Sequence, residues 1–132
     1  MSVKGIVFEV DSGKIVMSVQ APNYETVYLQ VKNRDHLDVI YDVEAKSAEK
    51  YIVDGAVVDR PSMQLTTTHL EASIGQEISI YGIPTGSTVF HPGGITKVDD
   101  GYVKWSSDVV GEFEFTIECF PFKDEVINAV IR

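Results

Sequence analysis

The sequence predicts an all-β protein with a small antiparallel β module, residues 1–61, followed by an antiparallel β-sandwich, residues 63–132. Short segments of alternating apolar and polar residues recur along the whole chain, and Gly-, Pro- and Asp-rich turns separate them. Only residues 45–51 have a helical pattern, and a loop explains that short run equally well. We therefore expect a helix content below about 10%.

Strands and turns account for the whole of the first module. The turn residues 11–14 separate two apolar runs, which predicts a hairpin, and the alternation in residues 24–31 and 36–44 predicts two further strands. Asp54-Gly55 lies between two β-branched runs and predicts a two-residue type I′ turn. Pairing should end at Pro61, because proline has no amide hydrogen to donate to a ladder.

Tight turns also punctuate the second module. Residues 77–83 form a predicted strand that ends at Pro84–Gly86, where proline fixes φ and glycine accepts a positive φ. The sequence predicts that this turn reverses the chain into a strand at 87–91. Further tight turns are predicted at 92–94 and 99–101.

Residues 112–120 have the clearest amphipathic pattern in the chain. Their glutamates alternate with apolar residues, so we expect one face in the core and one in water. The apolar set is Phe113, Phe115, Ile117 and Cys119, and the glutamates are Glu112, Glu114 and Glu118. This placement predicts that Cys119 is a buried, inert thiol and that the three glutamates are a candidate docking surface. Trp105 shares a face with Val103 and is expected to belong to the core.

The charge of the chain argues against several classes of partner. The net charge is −9, and the 11 Lys and Arg residues form no cluster, so we expect no binding to nucleic acid or to an anionic membrane surface. Residues 63–132 contain ten acidic and four basic residues. No apolar run approaches the length of a transmembrane helix, and no segment has the pattern of a secretory signal. A single cysteine excludes an internal disulfide and suits a reducing cytoplasm.

Catalytic and metal-binding motifs are not found in the sequence. There is no nucleophile elbow, phosphate loop, dinucleotide fingerprint or zinc-protease motif. His36, His69 and His91 lie in unrelated segments, and Asp99-Asp100 is better explained by a turn than by a calcium loop. We therefore predict that the protein is not an enzyme and has no cofactor or structural metal.

The second module resembles an immunoglobulin-like, PEGA-like β-sandwich that recurs in virion proteins of tailed bacteriophages. The resemblance is found in residues 80–89, residues 98–124 and the last strand. The matching positions are Gly82-Ile83-Pro84, Gly86, Val89, Asp100-Gly101, Gly111, Phe113 and Phe120-Pro121-Phe122. Residues 91–98 are longer than the corresponding link in that family. The first module, with its hairpin at 51–61, also resembles small phage tail-region proteins.

This resemblance implies a non-enzymatic structural protein of the virion, in the tail or the head–tail region. Its partners would be tail, fibre or connector proteins, with the host surface as a further partner, and it would be oligomeric on the particle. Residues 1–61 would be the attachment region, and the protein would reach the virion after synthesis in the host cytoplasm. The alternatives are a tail-fibre assembly chaperone and a bacterial surface adhesion module of the immunoglobulin-like class.

Overall fold

The computed structural model describes residues 2–132 and is all-β, with 49% of residues in strands and 4% in helix. The predicted fold class and the low helix content are therefore confirmed. The chain forms two compact units, of which the first ends at Pro61 and the second spans Ser62–Arg132.

The first unit is a three-stranded antiparallel sheet with a helix and a separate hairpin. Its elements are β1 (Val3–Glu9), β2 (Ile15–Ala21), α1 (Tyr24–Tyr28), β3 (Leu37–Tyr41), β4 (Lys50–Val53) and β5 (Ala56–Asp59). The sheet has the order β2-β1-β3, and β4 pairs with β5. On one face of β1, Ile6 packs with Ile15 and with Ile52 of the hairpin. On the other face, the absence of a side chain at Gly5 lets Val27 of α1 approach the sheet closely.

The hairpin at Asp54-Gly55 has the predicted geometry. Both residues have positive φ, 50° and 78°, and Val53 pairs with Ala56 on either side of them. Positive φ at both central positions defines the type I′ turn, whose twist matches that of the flanking strands. This prediction is confirmed.

The strand predicted at 24–31 is wrong, because this segment begins with helix α1. The side chain of Asn23 accepts a hydrogen bond from the Thr26 amide at 2.8 Å, which caps the helix. Val27 and Val31, four residues apart, are both buried, as expected for one face of a helical segment. The segment fits a strand alternation of every second residue, but it also has the four-residue spacing of Val27 and Val31 that a helix requires.

Two other predicted segments are shorter than expected. In residues 45–51 the Lys46 carbonyl accepts from the amides of Glu49 and Lys50, which closes a single turn before β4. The loop alternative is therefore correct and the helical one is wrong. The strand predicted at 36–44 ends at Tyr41, because Asp42 adopts a positive φ of 62° that interrupts an extended backbone.

The second unit is a sandwich of two sheets. Its strands are β6 (Thr66–Thr67), β7 (Glu71–Ala72), β8 (Ile78–Tyr81), β9 (Ser87–His91), β10 (Gly94–Val98), β11 (Tyr102–Trp105), β12 (Gly111–Glu118) and β13 (Glu125–Ile131). One sheet has the order β10-β9-β12-β13-β7 and the other β11-β8-β6. All ladders are antiparallel except that of β13 with β7. Distributing successive strands between two sheets in this way is typical of immunoglobulin-like sandwiches.

Inner faces of both sheets contribute to one apolar core. Ile78 and Ile80 come from the three-stranded sheet, while Phe115 and Ile117 come from the five-stranded sheet. All four side chains are at most 2% exposed. The alternation in β8 and β12 therefore orients one side of each strand towards the opposite sheet.

Two turns link strands of different sheets instead of closing hairpins. Pro84–Gly86 forms a turn in which the Ser87 amide donates to the Pro84 carbonyl at 3.2 Å. The predicted turn and the strand after it are present, but β8 and β9 lie in different sheets, so the turn does not close a hairpin. The turn at 99–101 likewise links β10 to β11 across the sandwich. The turn at 92–94, by contrast, does join paired strands.

Candidate protein-docking face

The predicted amphipathic strand is present as β12. Phe115 and Ile117 are 1% and 0% exposed, whereas Glu114 and Glu118 lie on the opposite, solvent-exposed side. Glu112 is also exposed, and Phe113 is half-buried against the core. The register predicted for residues 112–118 is therefore confirmed. The docking role of the three glutamates stays a prediction.

The three glutamates face polar and apolar neighbours rather than cations. Glu112 lies opposite Val130, Glu114 opposite Asn128, and Glu118 opposite Thr88. None of the three has an ion-pair partner among residues 2–132. Their carboxylates are thus available to basic groups of another molecule.

A row of mainly apolar residues crosses the same outer face. We call it the apolar row, and it consists of Ile95, Phe90, Thr116 and Val126. Strand register aligns them on four adjacent strands, because Ile95 pairs with Phe90, Phe90 with Thr116, and Thr116 with Val126. Ile95 is 68% exposed and Val126 is 54% exposed. Phe90 and Thr116 are half-buried. The sheet therefore presents to solvent a strip of three apolar side chains and one threonine, about 14 Å from the first strand to the last.

Sequence analysis did not identify this row. Its members come from four strands that are separated along the chain, and only the observed ladder brings them into line. Only the orientation of single residues could have been inferred, because adjacent residues of a strand point to opposite faces. Phe90 follows the buried Val89, and Val126 precedes the half-buried Ile127, so both point outward. An apolar residue at an outward position of a strand is common, but three in register, with Thr116 between Phe90 and Val126, form a patch.

Glutamates border the apolar row on both sides along β12. Thr116 belongs to the row, while Glu114 and Glu118 precede and follow it by two residues and point the same way. An apolar centre with a charged margin is typical of protein–protein interfaces, whose cores exclude charges and whose rims are polar. The face therefore has the composition expected of a protein-docking surface.

Other residues singled out in the sequence have structural contacts. The ring centre of Trp105 lies 5.0 Å from that of Phe113 and 5.1 Å from that of Phe115, so the predicted core packing of Trp105 is confirmed. Cys119 packs against the core, but it is half-buried instead of buried, because β12 ends one residue before it. Its thiol donates a weak hydrogen bond to the Thr85 carbonyl at 3.8 Å.

Histidine and acidic residues do not converge on a metal site in the described part of the chain. No group of three His, Cys, Asp or Glu side chains with suitable spacing occurs in residues 2–132. The ring of His91 already uses both nitrogens, with Nε2 2.8 Å from the Thr96 hydroxyl and Nδ1 accepting from the Gly93 amide. Asp38 accepts a hydrogen bond from the Val39 amide.

The first unit contains a cavity of about 550 Å³ beside β1, β2 and residues 43–50. Three lysines line it, of which Lys4 pairs with Glu44 and Lys50 with Asp59, while Lys46 has no ion pair in the described chain. The contact with Lys4 lowers the pKa of Glu44. Glu44 and Glu49 also line the cavity and would repel an anionic ligand, so the outer face of the sandwich is the stronger candidate site.

No helix within residues 2–132 combines the length and apolar character needed to cross a bilayer. Comparisons with known proteins add no family to this description: no protein-family model matches the sequence, and no curated protein is significantly similar to it. Functional inference therefore depends on the outer face and on the motifs of the sequence.

Proposed function

We propose that this chain is a non-enzymatic structural protein of a tailed-phage virion that docks on a neighbouring virion protein. The phage assignment is supported by the resemblance of the motifs at Gly82-Ile83-Pro84 and Phe120-Pro121-Phe122. The docking role is supported by one observation above all: the apolar row lies between the unpaired Glu114 and Glu118 on an open sheet face.

The apolar row would supply most of the binding free energy. Covering Ile95 and Val126 removes two large, mostly exposed aliphatic side chains from water, at about 25 cal/mol for each Å² of apolar surface. A stable interface buries about 800 Å² on each partner, so residues around the row must also participate. Glu114 and Glu118 would then orient the partner and accelerate its association more than they add affinity.

A partner of this chemistry carries an apolar strip flanked by Lys or Arg. Charged flanks discriminate against incorrect partners, because two like charges brought together at an interface are destabilising. The attachment role of residues 1–61 stays a prediction and is not needed for this proposal.

The proposal is tested by incorporation of variants into purified phage particles. Ile95→Asp places a charge at the most exposed end of the apolar row and should reduce incorporation at least tenfold without lowering the melting temperature. Ile74→Asp is the matched control, because Ile74 is 53% exposed but lies outside the sheets. Glu114→Lys should reduce incorporation less and in a salt-dependent manner.

Mass spectrometry of the same particles distinguishes the alternatives. A fixed copy number supports a virion component. Absence from mature particles together with co-purification with unassembled fibres would favour the assembly chaperone. Equal incorporation of Ile95→Asp and Ile74→Asp would exclude the apolar row as the docking site.

A further inference from the structure

A cleft of about 330 Å³ opens between β10 and β11, which are edge strands of the two sheets of the sandwich. Its lining includes Val89 and Phe115, which are 0% and 1% exposed, and the half-buried Trp105. The cleft therefore extends to the apolar core. Its volume is near the lower limit for ligand pockets and suits a few side chains better than a large molecule.

β11 has an open edge beside this cleft. It pairs with β8 on one side, and no other strand within residues 2–132 is hydrogen-bonded to it. In an antiparallel ladder, alternate residues direct their N–H and C=O groups away from the partner strand. Such an edge can accept a further strand from another protein.

The side chains of β11 alternate between the cleft and solvent. Val103 and Trp105 are half-buried and contact the core, whereas Tyr102 and Lys104 point outward. A strand added beside β11 would have the same alternation, so every second side chain would point inward towards Trp105 and Phe115. Backbone pairing and filling of the cleft would thus occur together.

Basic residues at the entrance indicate the charge of the partner. Lys97 and Lys104 border the cleft on its two edge strands, where Lys104 points outward from β11 and Lys97 shares the outer face of β10 with Ile95. Neither lysine has an ion-pair partner in the described chain, and the Lys104 ammonium lies 5.6 Å from the centre of the Tyr102 ring.

We propose that the edge of β11 accepts an extended strand of a partner protein. Alternate apolar side chains of that strand would fill the cleft, and the outward-pointing carboxylates that flank them would pair with Lys104 on the neighbouring strand. The proposal does not rest on the phage assignment. It concerns the open side of the sandwich, whereas the proposed docking function uses the outer face of the five-stranded sheet.

Trp105 provides a direct readout, because it is the only tryptophan in the chain and lines the cleft. The probe is the blocked peptide EVTVTVE, titrated into the full-length protein while tryptophan emission is recorded. We expect a saturable change in emission. The peptide EVTPTVE should bind at least tenfold more weakly, because proline removes a ladder donor, and KVTVTVK should also bind at least tenfold more weakly.

A pair of protein variants tests the charge argument. Lys104→Glu should weaken EVTVTVE at least tenfold and strengthen KVTVTVK, whereas Lys123→Glu makes the same charge change outside the cleft and should alter neither by more than twofold. No change in emission with EVTVTVE up to millimolar concentration would overturn the proposal. So would equal binding of EVTVTVE and EVTPTVE, or equal effects of the two lysine variants.

Discussion

The central strands of the two units, β1 and β12, differ in how many of their faces are covered. In β1 the adjacent residues Ile6 and Val7 are 1% and 0% exposed, so both faces of the strand are buried. In β12 only the Phe115 side is buried, and the Glu114 side faces solvent. The first unit therefore uses both faces of its sheet for its own folding, whereas the sandwich leaves one sheet face open to a partner.

This difference also explains where sequence patterns are informative. A strand covered on one face must alternate, because its two sides have different surroundings. A strand covered on both faces can be apolar at successive positions and loses that signal. The same property that made β12 easy to predict is the one that provides a docking face.

The largest expected effect contrasts the two sides of β12. Phe115→Ala removes a fully buried ring and leaves a cavity, which should cost about 3–5 kcal/mol of unfolding free energy. Glu114→Ala changes an exposed side chain and should cost no more than about 0.5 kcal/mol. Denaturant midpoints of the second unit, followed by hydrogen exchange, measure both. Equal midpoints would show that the register of β12 is wrong.

A glycine in the first unit tests how tightly its hairpin packs on the sheet. At Gly13, φ is 78° and an added Cβ would lie 1.9 Å from the Ile52 carbonyl oxygen. Gly13→Ala should therefore cost about 3 kcal/mol or more, from backbone strain and steric overlap together. Gly55 has the same φ, but nothing lies within 4 Å of its added Cβ. Gly55→Ala isolates the strain and should cost only about 1–2 kcal/mol.

Thermal melting with hydrogen exchange of residues 2–61 measures this pair. A cost for Gly13→Ala no larger than that for Gly55→Ala would mean that the hairpin separates easily from the turn between β1 and β2. In the second unit, Gly82 and Gly75 form a similar pair, because an added Cβ at Gly82 would lie 2.2 Å from the Gln64 carbonyl oxygen and at Gly75 would meet nothing.

Local sequence determined the features that local chemistry controls. Asp54-Gly55 predicted its turn because positive φ at two successive residues is a property of the residues themselves. Strand pairing is not local, and for this reason the turns at 84–86 and 99–101 could be located from the sequence, but the sheets that they connect could not be predicted. The apolar row was missed for the same reason, since it exists only through the register of four strands.

Residues 24–31 show a different kind of error. The segment satisfies a strand pattern and a helix pattern at once, and the Asn23 cap together with packing of Val27 on Gly5 favours the helix. In the candidate site, the three glutamates could be placed on an outer face from alternation alone. Their apolar neighbours on β9, β10 and β13 could not be placed beside them.

Removing the helix cap should affect the first unit alone. Asn23→Ala deletes the acceptor for the Thr26 amide and should cost about 1 kcal/mol. Asn128→Ala, on the exposed face of β13, is the control and should change the stability of the second unit by no more than about 0.5 kcal/mol. Hydrogen exchange resolved by unit distinguishes the two. Faster exchange throughout residues 62–132 in Asn23→Ala would show that the units do not unfold separately.

The smallest expected effect is the dependence of the first unit on alkaline pH. The Tyr24 hydroxyl donates to the Asp42 carboxylate, with oxygen–oxygen distances of 2.9 and 3.0 Å, and this hydrogen bond raises the pKa of Tyr24 above 10.0. Because the folded-state pKa is raised, the contact contributes its stability below the unfolded pKa and loses it as pH rises through the folded value. Both side chains are exposed, so the change in stability should be small.

Titration of the tyrosine rings by ¹³C NMR measures this pKa directly. Asp42→Asn removes the negative charge and should lower the pKa of Tyr24 towards its ordinary value, while Asp35→Asn, in the turn before β3, should leave it unchanged. The second unit should respond to neither substitution. An identical pKa of Tyr24 in the wild-type protein and in Asp42→Asn would show that the hydroxyl and the carboxylate are not paired in solution. The link from Asp42 to helix α1 would then depend on the edge-to-face contact of Tyr24 with Tyr41, whose ring centres are 5.4 Å apart.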